Sequence, residues 1–138
     1  MSVSYVMDAC ALVAFLQGEM GAEAVTGLLR DAEANRIPIY MNRINLLEVY
    51  YDKYRVDGKQ KADAQLNMIH KLPLTIVREI SDAVFFEAGR LKASRRISLA
   101  DSIALAEAFV RNAVLVTADH HEFDVIEQSG EIKFHWIR

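Results

Sequence analysis

Short apolar runs alternate along the chain with longer stretches whose apolar residues recur every three or four positions. That alternation predicts strands feeding helices. Val3-Ser4-Tyr5-Val6-Met7 ends on Asp8, and Ala9-Cys10-Ala11-Leu12-Val13-Ala14-Phe15-Leu16 follows at helical length with no Gly or Pro between them. This reads as a buried strand that ends on an acid and opens a helix. Gly18 to Gly21 breaks that helix. Ala22 to Ala34 predicts a second, with Ala24, Leu28 and Leu29 on one stripe and Glu23, Arg30, Asp31 and Glu33 toward water. Arg36 to Met41 predicts a short strand with Pro38 near its start, where a missing amide is tolerated. Asn42 is placed to cap a third helix running to about Val56. Asp57-Gly58 ends it, and Lys59 to Lys71 supplies a fourth helix that forms a hairpin with the third.

Leu74 to Val77 predicts a strand, and Ser81 caps a fifth helix carrying Val84, Phe85, Ala88 and Leu91. Ser98 opens a sixth, Leu99 to Arg111. Ala113-Val114-Leu115-Val116-Thr117 is apolar until its last residue and is the clearest strand of the chain; Asp119 follows it. A short helical turn around Phe123 to Gln128 and a last strand, Lys133 to Ile137, complete the pattern. Strands alternating with helices predict an α/β fold with a mostly parallel sheet covered on both faces. There are no repeats or linkers, and 138 residues predict a single domain over 1–138.

Composition narrows the function classes. With 52% hydrophobic residues and few Gly or Pro, the chain folds. A net charge of −3 argues against a generic nucleic-acid coat but leaves room for a nucleic-acid enzyme with a local basic rim. The lone Cys10 excludes an intramolecular disulfide and suits a reducing compartment. No basic n-region precedes the first apolar run, and no window approaches the ~20 apolar residues of a membrane span. The expectation is a cytoplasmic protein without a membrane segment.

Four acids carry the candidate chemistry, and each also has a plain structural reading. Asp8 suits a helix N-cap. Glu48 falls with Ile44, Leu47 and Tyr51 on the expected apolar stripe of the third helix, where a carboxylate needs a salt bridge or a metal as partner. Ser98-Leu99-Ala100-Asp101 matches a capping box. The Glu107/Arg111 pair at i,i+4 assigns the solvent face of that helix, so Asp101, in line with Leu105 and Ala108, is expected to turn inward. Asp119 stands just past an apolar strand, in what could be a polar turn, Ala118-Asp119-His120-His121. Four carboxylates gathered together repel one another, and a hard divalent cation relieves that repulsion. Oxygen-only ligation suits Mg²⁺ or Mn²⁺ over zinc.

These residues resemble a PIN-domain nuclease, the family that includes the toxic ribonucleases of the VapC type. The resemblance covers nearly the whole chain. It rests on Tyr5-Val6-Met7-Asp8-Ala9-Cys10-Ala11-Leu12, Asn45-Leu46-Leu47-Glu48-Val49, Ser98-Leu99-Ala100-Asp101-Ser102 and Leu115-Val116-Thr117-Ala118-Asp119, in this order and spacing. It implies a three-layer PIN-like fold with strand order like 3-2-1-4-5. It also implies an acidic pocket of Asp8, Glu48, Asp101 and Asp119, with Asp124 as a further acid near the rim and Thr117 as a supporting hydroxyl. The functional implications of the resemblance are Mg²⁺ or Mn²⁺ as cofactor, hydrolysis of RNA phosphodiesters, a small antitoxin partner and a homodimer. Cys10 and Asn42 depart from the pattern, since hydroxyl residues are common at both places. The expected mechanism is in-line attack of a metal-activated water on phosphorus without a covalent nucleophile. The alternatives are a non-catalytic PIN-like module that binds RNA or protein, against which the complete set of acids counts, and a metal-dependent phosphatase on small substrates.

Arg90-Leu91-Lys92-Ala93-Ser94-Arg95-Arg96 is the densest basic segment. It reads either as favourable charge at a helix C-terminus or as phosphate contacts, by Arg95 and Arg96, that position RNA beside the acids. His120 and His121 could form an acid/base pair for metal-free cleavage, although neighbours in a turn do not face each other predictably. Cys10 reads as a core thiol. At least two of Tyr50, Tyr51 and Tyr54 are expected to pack inside the helical hairpin.

Overall fold

In the computed structural model, which describes residues 3–138, five short strands lie side by side and all neighbours run parallel. They are β1 (Tyr5–Met7), β2 (Ile39–Asn42), β3 (Thr75–Val77), β4 (Val114–Thr117) and β5 (Lys133–Trp136), in the order β3-β2-β1-β4-β5. This is the order the resemblance implied. The central strand explains the two-faced core. Val6 and Met7 are both fully buried but point to opposite sides, as successive strand residues must. Met7 packs with Leu12, Val25, Leu28 and Leu46 on one face, and Val6 with Leu91, Leu105, Leu115 and Phe123 on the other.

The helices are α1 (Ala9–Gln17), α2 (Ala22–Asn35), α3 (Arg43–Asp57), α4 (Lys59–Ile69), α5 (Asp82–Ser94), α6 (Leu99–Arg111) and α7 (His120–Ser129). Asn42, Ser81 and Ser98 cap α3, α5 and α6 with their side chains, as their residue types favour. Gly58, at φ +90, turns α3 into α4. The hairpin is tied by the Tyr50 hydroxyl, which donates to Asp63 at 2.6 Å, while Tyr50 and Tyr54 meet edge-on within α3. Tyr51 is exposed. No helix among the described residues is long and apolar enough to cross a membrane.

The structure departs from the sequence pattern in four further places. Leu47 and Tyr51 are each 52% exposed, and the buried side of α3 is formed by Asn45, Leu46 and Val49. Glu48 therefore sits at the edge of the buried face, half-buried. Phe85 is 64% exposed, while Val84, Ala88 and Leu91 fill the inner face of α5. The expected turn near Phe123 is a ten-residue helix that begins at His120, because Asp119 caps it by accepting from Glu122 N at 3.2 Å. The fourth is a correction. Glu107 and Arg111 do not mark the solvent face of α6: Glu107 is 1% exposed. Almost the whole circumference of α6 is covered, since α5, α3 and the sheet pack around it. The buried carboxylate is matched there by Arg111 Nε at 3.0 Å and Asn42 Nδ2 at 2.7 Å.

Candidate active site

β1 and β4 are neighbours, and the chain leaves β1 toward β2 on one side while β4 lies on the other. That reversal of strand order is where an open parallel sheet leaves a crevice beyond its carboxyl ends. Asp8 follows β1 and Asp119 follows β4, so the two acids stand at that crevice. The Asp8 amide donates to Val116 O at 3.3 Å, which holds the two strand ends together.

Asp8 is 2% exposed, and both of its carboxylate oxygens are engaged. Oδ1 accepts from Ala11 N at 2.9 Å, so its cap role is real, and Oδ2 accepts from the Thr117 hydroxyl. The same Thr117 oxygen accepts from Asp119 N at 3.0 Å. One buried hydroxyl thus joins the two strand-end acids. Burial pushes the Asp8 carboxyl up to about 7; the bonds from Thr117 and Ala11 pull it back, and the charges of Asp101 and Asp119 raise it further.

Asp101 lies in the first turn of α6 and is half-buried. Its carboxyl is pushed up to about 6 by burial and then by Asp119, with Ser98 opposing and with Glu48 and Glu122 adding. Glu48, on α3, is raised by burial and by Asp52, against the Asn45 amide that favours its charged form. Asp8, Asp101 and Asp119 therefore lie in one another's field, and Glu48 joins them through Asp101. Asp124 is exposed and pairs with His120 Nδ1 at 2.8 Å.

Two neighbours of the cluster were missed in the sequence. Glu122 follows Asp119 at the spacing of a cap and the third residue of its helix, a pattern the sequence shows in Asp119-His120-His121-Glu122. Asn45 is an amide in the middle of a helix on its buried side. Its Nδ2 donates to Ala100 O at 3.0 Å, next to Asp101.

The donor set fits a hard cation in its chemistry, being carboxylate oxygens whose mutual repulsion and burial oppose ionisation. As placed, no three His, Cys, Asp or Glu side chains among the described residues converge on one metal position. The Cys10 thiol is pushed up to about 11 by burial and by the charge of Asp8, so it is no nucleophile near neutral pH. His120 has both nitrogens committed, to Asp124 and to Arg138 O, and its ring stacks on Trp136 at 3.8 Å. Arg95 and Arg96 line a groove of about 300 Å³ together with His121 and Glu122. In the same basic run, Arg90 pairs with Glu87 and Glu131, and Lys92 donates to Ile97 O at 2.6 Å.

A doubly wound parallel sheet with acids gathered at its switch point defines the class: an α/β protein with an acidic pocket at the strand ends. Residues 5–128 match the PIN domain, and the chain belongs to the PIN-domain family. Its fold is similar to those of several solved structures. One is DNA-bound VapBC from Salmonella typhimurium, with TM-score 0.76, 14% identity and 99% of each chain covered. A second is a VapBC from Rickettsia felis bound to a DNA fragment from its promoter, with TM-score 0.73, 20% identity, and 96% of this chain and 98% of that one covered. A third is a VapC of Mycobacterium tuberculosis described as a toxin that cleaves the sarcin–ricin loop, with TM-score 0.61, 15% identity, and coverage of 88% and 95%. No curated protein matches the chain in sequence.

Proposed function

We propose that the chain is a Mg²⁺- or Mn²⁺-dependent endoribonuclease that hydrolyses RNA phosphodiesters, and that it is the toxin of a toxin–antitoxin pair. The observation that carries this reading is Asp8: a nearly inaccessible carboxylate, held at both oxygens and crowded by the charges of Asp101 and Asp119. A fold gains nothing in stability from such a grouping, and a cation between the acids gives it a use.

Asp8, Glu48, Asp101 and Asp119 would hold the ion. When bound, it supplies charge neutralisation for a phosphate oxygen and lowers the pKa of a water. The chain itself supplies position. Thr117 and Ala11 N fix the plane of the Asp8 carboxylate, and Ser98 fixes the first turn of α6 beneath Asp101. With Cys10 unreactive and the Thr117 hydroxyl donating to Asp8, hydrolysis proceeds by direct attack of water in line with the leaving oxygen. Arg95 and Arg96, in the groove beside Glu122, would take the RNA phosphates.

The VapBC relatives in complex with DNA, and a Klebsiella pneumoniae structure described as a toxin–antitoxin complex, support a small protein antitoxin as partner. The homodimer rests on the same family reading. The acids that do not converge on one metal position are the observation in favour of a non-catalytic binding module.

The test is cleavage of a structured RNA by wild type and Asp8→Asn, each with Mg²⁺, Mn²⁺ or EDTA. Metal-dependent cutting that disappears in the variant supports the nuclease. Cutting that persists in EDTA discards the acidic mechanism. A protein that binds RNA with no metal uptake is a binding module.

A further inference from the structure

Asn45 is fully buried on α3, and its Oδ1 has no hydrogen-bond partner among the described residues. A leucine fills a similar volume without stranding a polar atom, so packing alone does not account for an amide at this position. The other end of the amide makes one directed bond, in which Nδ2 donates across to the carbonyl of Ala100 on α6. Ala100 immediately precedes Asp101. Glu48 lies three residues beyond Asn45, on the same side of α3. One side chain therefore touches both helices at the turns where each presents an acid.

A second bond ties the same helices elsewhere. Asn42, the cap of α3, donates to Glu107 on α6 at 2.7 Å and accepts from Ile44 N at 2.9 Å. That tie holds α3 to α6 without touching either acid, so it serves as an internal comparison.

We propose that Asn45 is a positioning residue of the acidic cluster: its amide locks the turn of α3 that carries Glu48 onto the turn of α6 that carries Asp101, and so sets the separation of these two acids. The consequence rests on the nuclease reading, because the separation matters only when both acids act on one cation. Outer contacts of this kind orient metal ligands, and removing one typically costs about 10–100-fold in metal affinity or activity.

The experiment compares the full chain as wild type, Asn45→Leu, Asn45→Ala and Asn42→Ser. Three quantities are read: the thermal midpoint in EDTA, the affinity for Mn²⁺ alone by calorimetry, and kcat and KM on RNA. Asn45→Leu relieves the stranded oxygen, so its midpoint stays close to that of wild type while Mn²⁺ affinity falls about 10–100-fold. The activity loss falls on kcat, with KM little changed. Asn45→Ala, which cannot overfill the site, shows the same loss of affinity if leucine does not fit. Asn42→Ser lowers the midpoint and leaves Mn²⁺ affinity near wild type. Variants at Asn45 that keep wild-type Mn²⁺ affinity and kcat, or lose them only in step with the folded fraction, overturn the proposal. A wild type that binds Mn²⁺ but cuts no RNA sinks the nuclease reading alone, and Mn²⁺ affinity still judges Asn45. A wild type that takes up no Mn²⁺ sinks both.

Discussion

Glu107, almost fully buried in α6, accepts a 2.7 Å hydrogen bond from Asn42, the cap of α3. Its other oxygen takes Arg111 Nε at 3.0 Å, and the Arg111 guanidinium lies 4.0 Å over the Tyr40 ring. The carboxylate is therefore paired on both sides, and the pairing spans α6, α3 and β2. Removing one partner of a buried ion pair is costly, because the others keep their desolvation without their bonds. Glu107→Leu strips both Arg111 and Asn42 and is expected to lose about 3–5 kcal/mol. Glu107→Gln keeps the volume and one neutral bond, and loses about 1–3 kcal/mol. Urea unfolding ranks the two; a leucine variant as stable as wild type contradicts this account.

The same pair shows where sequence reading stops. Among the described residues, apolar runs and caps mark the five strands and six of the seven helices, with the seventh legible only as a short turn, because burial on two faces writes β1 and β4 as continuous apolar stretches and the side-chain oxygens of Asp8, Asn42, Ser81 and Ser98 mark helix starts. The strand-end rule then placed Asp8 and Asp119 together. What failed was facing. Glu107 and Arg111 at i,i+4 look the same on a solvated helix as on a buried one, and only the neighbours of α6 decide between them. Leu47 and Phe85 are apolar but exposed, so periodicity rotated the inner face of α3 by about one residue. Asn45 was invisible for the opposite reason: a lone helical amide shows its partner only once α3 meets Ala100.

Asp8 makes the stability of the metal-free protein depend on pH in an unusual direction. Its folded pKa, near 7, lies above its ordinary value of 3.8, so between these values the folded state binds more protons than the unfolded one. Stability therefore falls as pH rises through that window, the reverse of a salt-bridged acid. At 1.36 kcal/mol per unit, the loss attributable to Asp8 is on the order of 2–4 kcal/mol. Asp101, raised to about 6, acts in the same direction. Asp8→Asn is expected to raise the thermal midpoint near pH 8 in EDTA and to change it little near pH 4. A wild-type midpoint that climbs from about pH 4 to 7, or an Asn variant no more stable at pH 8, contradicts the buried-acid account.

Thr117 is buried and serves both strand-end acids, donating to Asp8 and accepting from Asp119 N. Valine keeps its shape and removes both bonds. Thr117→Val is expected to cost about 1–2 kcal/mol in stability, from the unpaired groups. It also lowers cleavage by about 10–100-fold, because the Asp8 carboxylate loses its orientation. Thr117→Ser, which restores the hydroxyl, recovers most of the rate. Equal rates for the Val and Ser variants, measured on folded protein, would remove the hydroxyl from the site.

Arg95 and Arg96 decide whether the basic run at the end of α5 serves the helix or the substrate. The helix already has Lys92 in its last turn, and Arg90 is held by Glu87 and Glu131. Arg95 and Arg96 instead line the groove beside His121 and Glu122, and Glu122 is close enough for its charge to act on Asp101. If both contact RNA phosphates, each releases counterions on binding and steepens the dependence of log affinity on log salt by about 0.7 for a single strand. Arg95→Gln with Arg96→Gln is therefore expected to weaken RNA binding at low salt and to flatten that slope by about 1.4 in total, taking two contacts. The effect should be uniform across RNA sequences, because phosphate contacts carry no base information. Stability should change little, since neither guanidinium holds a helix in place. Binding measured over a range of salt, with catalysis silenced by Asp8→Asn, separates the two roles. A lower affinity with an unchanged slope would mean that the groove shapes the site without touching the backbone of the RNA, and a lower thermal midpoint with normal binding would return both residues to the helix end.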